Sequence, residues 1–132
     1  MDHLLDSSAL LAYLLDEPGA QLVADTLSRP AGINLLNWSE VLSYYALRGP
    51  KPRSVESRLA KQGLVFGLIE LLLPEPSDAL GAAELQMQHP DMGLSLADRF
   101  CLAMGKRLKI AVLTADRSWS KLPPSLSIKC IR

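Results

Sequence analysis

His3-Leu4-Leu5-Asp6-Ser7-Ser8-Ala9-Leu10 passes from an apolar run, through an acid, into a helical pattern. His3–Leu5 reads as a first strand ending at Asp6, and Ser7–Leu15 as a helix with Leu10, Leu11, Leu14 and Leu15 on one face. The same grammar recurs downstream. Gly32–Leu36 reads as a strand feeding a helix over Asn37–Leu47, which carries Glu40 near its start. Ile110–Leu113 reads as a strand leading to Asp116. Further helices are expected over Gln21–Leu27, Ser54–Val65, Ser77–Gln88 and Ser95–Leu108, with strands at Leu68–Leu73 and Ser127–Ile131. Pro18-Gly19, Arg29-Pro30, Gly49-Pro50, Pro74, Pro76, His89-Pro90 and Pro123-Pro124 punctuate them. Strands alternating with helices predict an α/β fold around a parallel sheet with right-handed crossovers. No repeat, linker or low-complexity stretch interrupts the chain, so residues 1–132 are read as a single domain.

The 132 residues are 48% hydrophobic and 21% charged, with a formal net charge of zero. That composition is globular rather than disordered. A domain this long buries roughly 65–70% of its unfolded surface and needs no covalent staples. Zero net charge argues against a broadly basic nucleic-acid binder. It is compatible with a nucleic-acid enzyme whose acidic site is balanced by bound cations. Cys101 and Cys130 lack metal or redox spacing and read as small apolar residues. His3 and His89 are too few and too far apart for a zinc site. The first residues lack the basic segment of a secretion signal, and no apolar run reaches the ~18–20 residues of a membrane helix. The expected location is the cytoplasm, away from membranes.

Asp6, Glu40, Asp98 and Asp116 each stand at or near an expected helix start. A carboxylate there has an ordinary use, because it caps free backbone N–H groups and complements the helix dipole. Asn37-Trp38-Ser39-Glu40 and Ser95-Leu96-Ala97-Asp98 both fit a capping box. As a set the acids point further. Ligands of open α/β sheets bind outside the carboxyl ends of the strands, and the strands before Asp6, Glu40 and Asp116 deliver them there. Asp98 joins them if its helix begins at the same edge. Clustered carboxylates repel one another and raise one another's pKa unless a cation intervenes. Hard oxygen donors suit Mg²⁺ or Mn²⁺, and such a cation can polarise a phosphodiester and activate water.

Leu4-Leu5-Asp6-Ser7-Ser8-Ala9-Leu10, Asn37-Trp38-Ser39-Glu40-Val41, Leu94-Ser95-Leu96-Ala97-Asp98 and Val112-Leu113-Thr114-Ala115-Asp116 resemble the four motifs of PIN-domain proteins, most closely the VapC-type toxins of toxin–antitoxin pairs. The resemblance spans essentially the whole chain. It implies a three-layer α/β/α sandwich with a central parallel sheet and a Mg²⁺- or Mn²⁺-dependent endoribonuclease acting on RNA such as tRNA or rRNA. It also implies a VapB-type antitoxin as partner, and a homodimer. Carried over, Asp6, Glu40, Asp98 and Asp116 are the catalytic acids. Asp6 and Asp98 are the direct metal ligands, and Thr114 is a supporting hydroxyl. Some relatives carry an extra acid near the third or fourth motif, where this chain has Arg99 and Arg117. These arginines either contact substrate phosphate or face solvent.

Trp38 is a further candidate for substrate contact, because it flanks Glu40. Like Tyr44 and Tyr45, it stacks on bases or packs in the core. Arg48, Lys51, Arg53, Arg58 and Lys61, opposed only by Glu56, either guide an RNA backbone or form a solvated helix face. Leu64-Val65-Phe66-Gly67-Leu68 is core or part of an antitoxin groove. Two rival readings stand beside the nuclease. One is a non-catalytic PIN-like domain that binds RNA or protein, its acids serving as caps. The other is a receiver-type Mg²⁺-binding phosphoacceptor domain, which would want an acidic pair after the first strand and a lysine after a late one. The chain has neither.

Overall fold

A computed structural model describes residues 1–132. Five short parallel strands form one sheet: β1 (His3–Leu5), β2 (Ala31–Asn34), β3 (Ile69–Leu72), β4 (Ala111–Thr114) and β5 (Ile128–Cys130). Their spatial order is β3-β2-β1-β4-β5, with the first strand in the centre. Six helices connect them: α1 (Ser7–Leu14), α2 (Ala20–Thr26), α3 (Leu35–Ala46), α4 (Pro52–Lys61), α5 (Pro76–Gln88) and α6 (Leu96–Leu108). Two 3₁₀ turns, Arg117–Lys121 and Pro124–Leu126, lie between β4 and β5.

Successive strand residues face opposite sides of a sheet, and this alternation divides the core in two. Leu5, Ile33, Ile69 and Leu113 pack with Ala9, Val23, Val41, Val55 and Leu59 on the side of α1 to α4. Leu4 and Val112 pack on the other side with Leu102, Met104, Trp119 and Leu126. Both faces of the sheet are covered, as a parallel sheet requires. The architecture is the expected three-layer α/β/α sandwich.

Two element boundaries differ from expectation. The second strand stops at Asn34 rather than Leu36. The Asn34 side chain accepts hydrogen bonds from the backbone N–H of Leu36 (2.8 Å) and Asn37 (3.0 Å), which starts α3 two residues early. Glu40 therefore lies in the second turn of α3 and is not part of its cap. The fourth helix ends at Lys61 rather than Val65, because Gly63 (φ 76°) and Phe66 (φ 62°) turn the chain through the left-handed region.

Gly105 fixes the seat of α6. A Cβ built there would lie 2.5 Å from Cγ2 of Val112, so the helix backbone sits directly on β4. The helix ends just before β4 begins. It therefore runs against the strands and presents its first turn, with Asp98, at the sheet's carboxyl edge.

Candidate active site at the sheet's carboxyl edge

The chain reverses its direction of sheet growth at β1. The strands β2 and β3 are laid down on one side of it, and β4 and β5 on the other. The crevice between β1 and β4 is thus the topological switch point, where open α/β sheets bind ligands. Asp6 follows β1 directly, and Thr114 closes β4 with Asp116 two residues on.

Asp6 is buried. One carboxylate oxygen accepts from the Ser8 hydroxyl (2.7 Å) and the Ala9 backbone N–H (2.8 Å), and the other from the Thr114 hydroxyl (2.5 Å). The Thr114 oxygen in turn accepts from the Asp116 backbone N–H (3.1 Å), and Ser8 Oγ accepts from that of Ala115 (2.9 Å). A hydroxyl lattice thus ties the ends of β1 and β4 together around Asp6.

Glu40 enters from α3. Its Oε1 accepts from the Ser7 hydroxyl (2.8 Å) and from the Asn37 side-chain amide (3.0 Å). The buried amide of Asn34 donates to Asn37, completing a chain from β2 to Glu40. Ser95 Oγ reaches Glu40 Oε2 at 3.4 Å while capping α6. Asp98 closes that capping box: its Oδ2 accepts from the Ser95 N–H (2.9 Å) and its own N–H donates to Ser95 Oγ (3.1 Å). Asp116 caps the 3₁₀ turn after β4, accepting from Ser118 N–H and Oγ.

All four acids therefore meet at one edge, three of them doubling as helix caps. None has a basic partner. The ion pairs of the molecule lie elsewhere, between Arg29 and Asp2, Arg107 and Glu75 with Asp78, and Arg132 and Glu17. The imbalance favours the protonated acids. Burial, and to a smaller degree the charge of Asp98, pushes Asp6 up to about 6 against the pull of its three hydrogen bonds. Burial also raises Asp98, aided by the charges of Glu40 and Asp116. Burial pushes the Cys101 thiol well up, with the charges of Asp6, Asp98 and Glu40 adding to the effect.

The donor set is all carboxylate and hydroxyl oxygen, the chemistry of a hard divalent cation. As placed, no three Asp, Glu, His or Cys side chains form a group that could hold a metal ion by themselves. In kind, though not as a closed site, these donors fit Mg²⁺ or Mn²⁺.

The other expected contact residues make their own bonds away from the acids. Trp38 is not available to bases: it is buried, and its indole N–H donates to Glu56 on α4 (3.1 Å). Arg99 leans on α5, its nearest polar contact being the Ala82 carbonyl at 3.4 Å, and its Nε is buried without a partner. Arg117 turns to the Arg132 carbonyl (3.0 Å). Neither arginine pairs with the acids. Asn34 and Asn37, both fully buried, support the site without being expected from the acid pattern. Their signal was an asparagine at the end of an apolar run with a second one three residues on.

The model of the PIN domain matches residues 3–123. The chain belongs to the PIN-domain family. PIN domains are in general nucleases, and this membership removes the receiver-type alternative. Solved structures share the fold of this PIN domain at low identity. A toxin–antitoxin complex from Klebsiella pneumoniae has a chain 14% identical, with a TM-score of 0.74 and 98% of each chain covered. DNA-bound VapBC from Salmonella typhimurium gives 15%, 0.70, and 100% and 99%. FitAcB from Neisseria gonorrhoeae gives 21%, 0.69, and 98% and 96%. No curated protein matches the chain in sequence. No helix of this PIN domain is long and apolar enough to cross a membrane.

Proposed function

We propose that this PIN domain is a Mg²⁺- or Mn²⁺-dependent endoribonuclease and the toxin of a type II toxin–antitoxin pair. The observation that carries the reading is the convergence of four carboxylates, none ion-paired, on the switch-point crevice, with Asp6 and Asp98 pushed up in pKa. Such a cluster is costly alone and is relieved by a divalent cation. When bound, the cation supplies charge neutralisation for the phosphate and acidifies water. Asp6 and Asp98 hold it, and Thr114 and Ser8 fix the rotamer of Asp6 through hydrogen bonds to both of its oxygens. Glu40, held by Ser7 and Asn37, and Asp116, held by Ser118, complete the acidic rim toward solvent. Water attacks the phosphorus and the ribose O3′ leaves with a proton, giving a 5′-phosphate and a 3′-hydroxyl. The VapBC and FitAcB likenesses support a small VapB-type antitoxin as partner, and the same reading carries a homodimer.

The purified PIN domain, free of any partner, is expected to cleave RNA with Mg²⁺ or Mn²⁺ and to stop on addition of chelator. The Asp6→Asn variant is expected to lose at least 100-fold in rate. Undiminished cleavage by that variant would sink the assignment. One observation favours a second reading, a non-catalytic binding domain: Asp6, Asp98 and Asp116 are all satisfied as caps. On that reading Mn²⁺ affinity is the same for the native protein and a variant lacking the four acids.

A further inference from the structure

The outer face of α4 gathers basic side chains that make no ion pair. Between Arg48 and Lys61 the chain has five basic residues against one acid, which leaves nine basic and thirteen acidic residues elsewhere. That one acid, Glu56, is drawn toward α3 by the Trp38 indole. Arg53, Arg58 and Lys61 are exposed and make no ion pair, unlike Arg29, Arg107 and Arg132. With Ser54, Ser57 and Gln62 they line an open groove of about 580 Å³ that has no apolar residue in its wall. Arg53, Ser57 and Lys61 follow one another at four-residue spacing along a single helix face, a ladder about 12 Å long.

We infer that this face is a groove for the phosphate backbone of folded RNA, engaged at a distance from the bond to be cut. Cationic side chains interleaved with hydroxyl and amide donors are the chemistry that reads phosphate rather than bases. A wall of three unpaired cations with no apolar residue suits a polyanion better than the hydrophobic face of a docking helix. The distance follows from α3. Trp38 and Glu40 are two residues apart, about 200° around the helix, so α4 packs on the side of α3 away from the acid cluster. With helices spaced ~8–10 Å apart, the groove lies on the order of 20 Å from the acids. A short oligonucleotide bound at the acids does not reach it, whereas a folded RNA does. The inference rests on the ribonuclease reading for the identity of the polymer, but its test does not require cleavage.

The test measures binding of a labelled stem–loop RNA by anisotropy in EDTA across a salt series. The triple variant Arg53→Ala/Arg58→Ala/Lys61→Ala is expected to bind about 10–100-fold more weakly at low salt, with a salt slope shallower by about 2–3. The Arg53→Lys/Arg58→Lys variant keeps the slope. With Mn²⁺, the triple variant cleaves a short oligoribonucleotide as the native protein does but shows a raised KM on the stem–loop. Unchanged affinity and slope in the triple variant overturn the inference, and so does tighter binding of poly-glutamate than of RNA, which marks the face as a site for an acidic protein. Absence of cleavage in every sample, with the binding difference intact, overturns the nuclease reading alone. Arg58→Glu serves as the second variant should the triple one melt early.

Discussion

At the scale of the residue, Asp6 is a buried acid whose charge is costly. Its pKa is raised, so the folded state holds the proton more tightly than the unfolded one. Its contribution to stability is therefore full below about pH 4 and is lost as pH rises through about 6. The loss amounts to about 2–3 kcal/mol of the metal-free protein's stability. Asp6→Asn keeps the shape and removes the charge. Chemical denaturation in EDTA at pH 8 is expected to find it more stable than the native chain by about that amount, with the gain vanishing near pH 4. On the proposed function Mn²⁺ is expected to bind the ionised form, raising the melting temperature clearly at pH 7.5 and little at pH 5. An Asn variant less stable than native at pH 8 would show that the hydrogen bonds from Thr114, Ser8 and Ala9 outweigh the charge. Asp6 was readable because an acid ends an apolar run. The support beneath it was not: Thr114 and Ser8 are 106 residues apart, and only folding sets their oxygens 3.4 Å from each other.

At the scale of the element, the strands and helices were legible because each apolar run is short and bounded by proline, glycine or an acid. The failure at β2 shows what pattern alone misses. Ala31 through Leu36 is nearly continuous in apolar character, and nothing in its periodicity marks the change of state after Asn34. The Asn34 side chain decides it by satisfying two backbone N–H groups. That one cap moves Glu40 from a helix start into the second turn, and it also turns Trp38 toward α4 and into the core. Position within a helix, more than identity, separated the residue that reaches the acid edge from the one that does not. The element that positions Asp98 offers its own test. Gly105→Ala forces a Cβ against Val112 Cγ2, a stiff β-branched side chain close to the sheet. The variant is expected to lose about 1–3 kcal/mol in urea denaturation. Its Mn²⁺ affinity should also fall, because α6 can relieve the clash only by moving its whole length, Asp98 included. Unchanged metal affinity in a destabilised variant would show that the strain is absorbed at the C-terminal end of α6 alone.

At the scale of the whole molecule, two cores share one small sheet, and charge is divided between an acidic edge and a basic helix. The central strand is made of the chain's first residues, yet its two neighbours are β2 and β4, which begin at Ala31 and Ala111. A chain truncated after Ile110 keeps three of the five strands and leaves β1 with one bare side. It is expected to fail to fold cooperatively in thermal unfolding and to show no pH-dependent Mn²⁺ binding. A truncated form that binds Mn²⁺ as the full chain does would contradict the role given to the β1–β4 crevice. The hydrogen bond from Thr114 to Asp6 closes a loop of more than a hundred residues. Synthesis runs from the N-terminus, so Asp6 leaves the ribosome more than a hundred residues ahead of Thr114. Until Thr114 emerges and β4 settles beside β1, the acids lie scattered along an open chain and the crevice that gathers them does not exist.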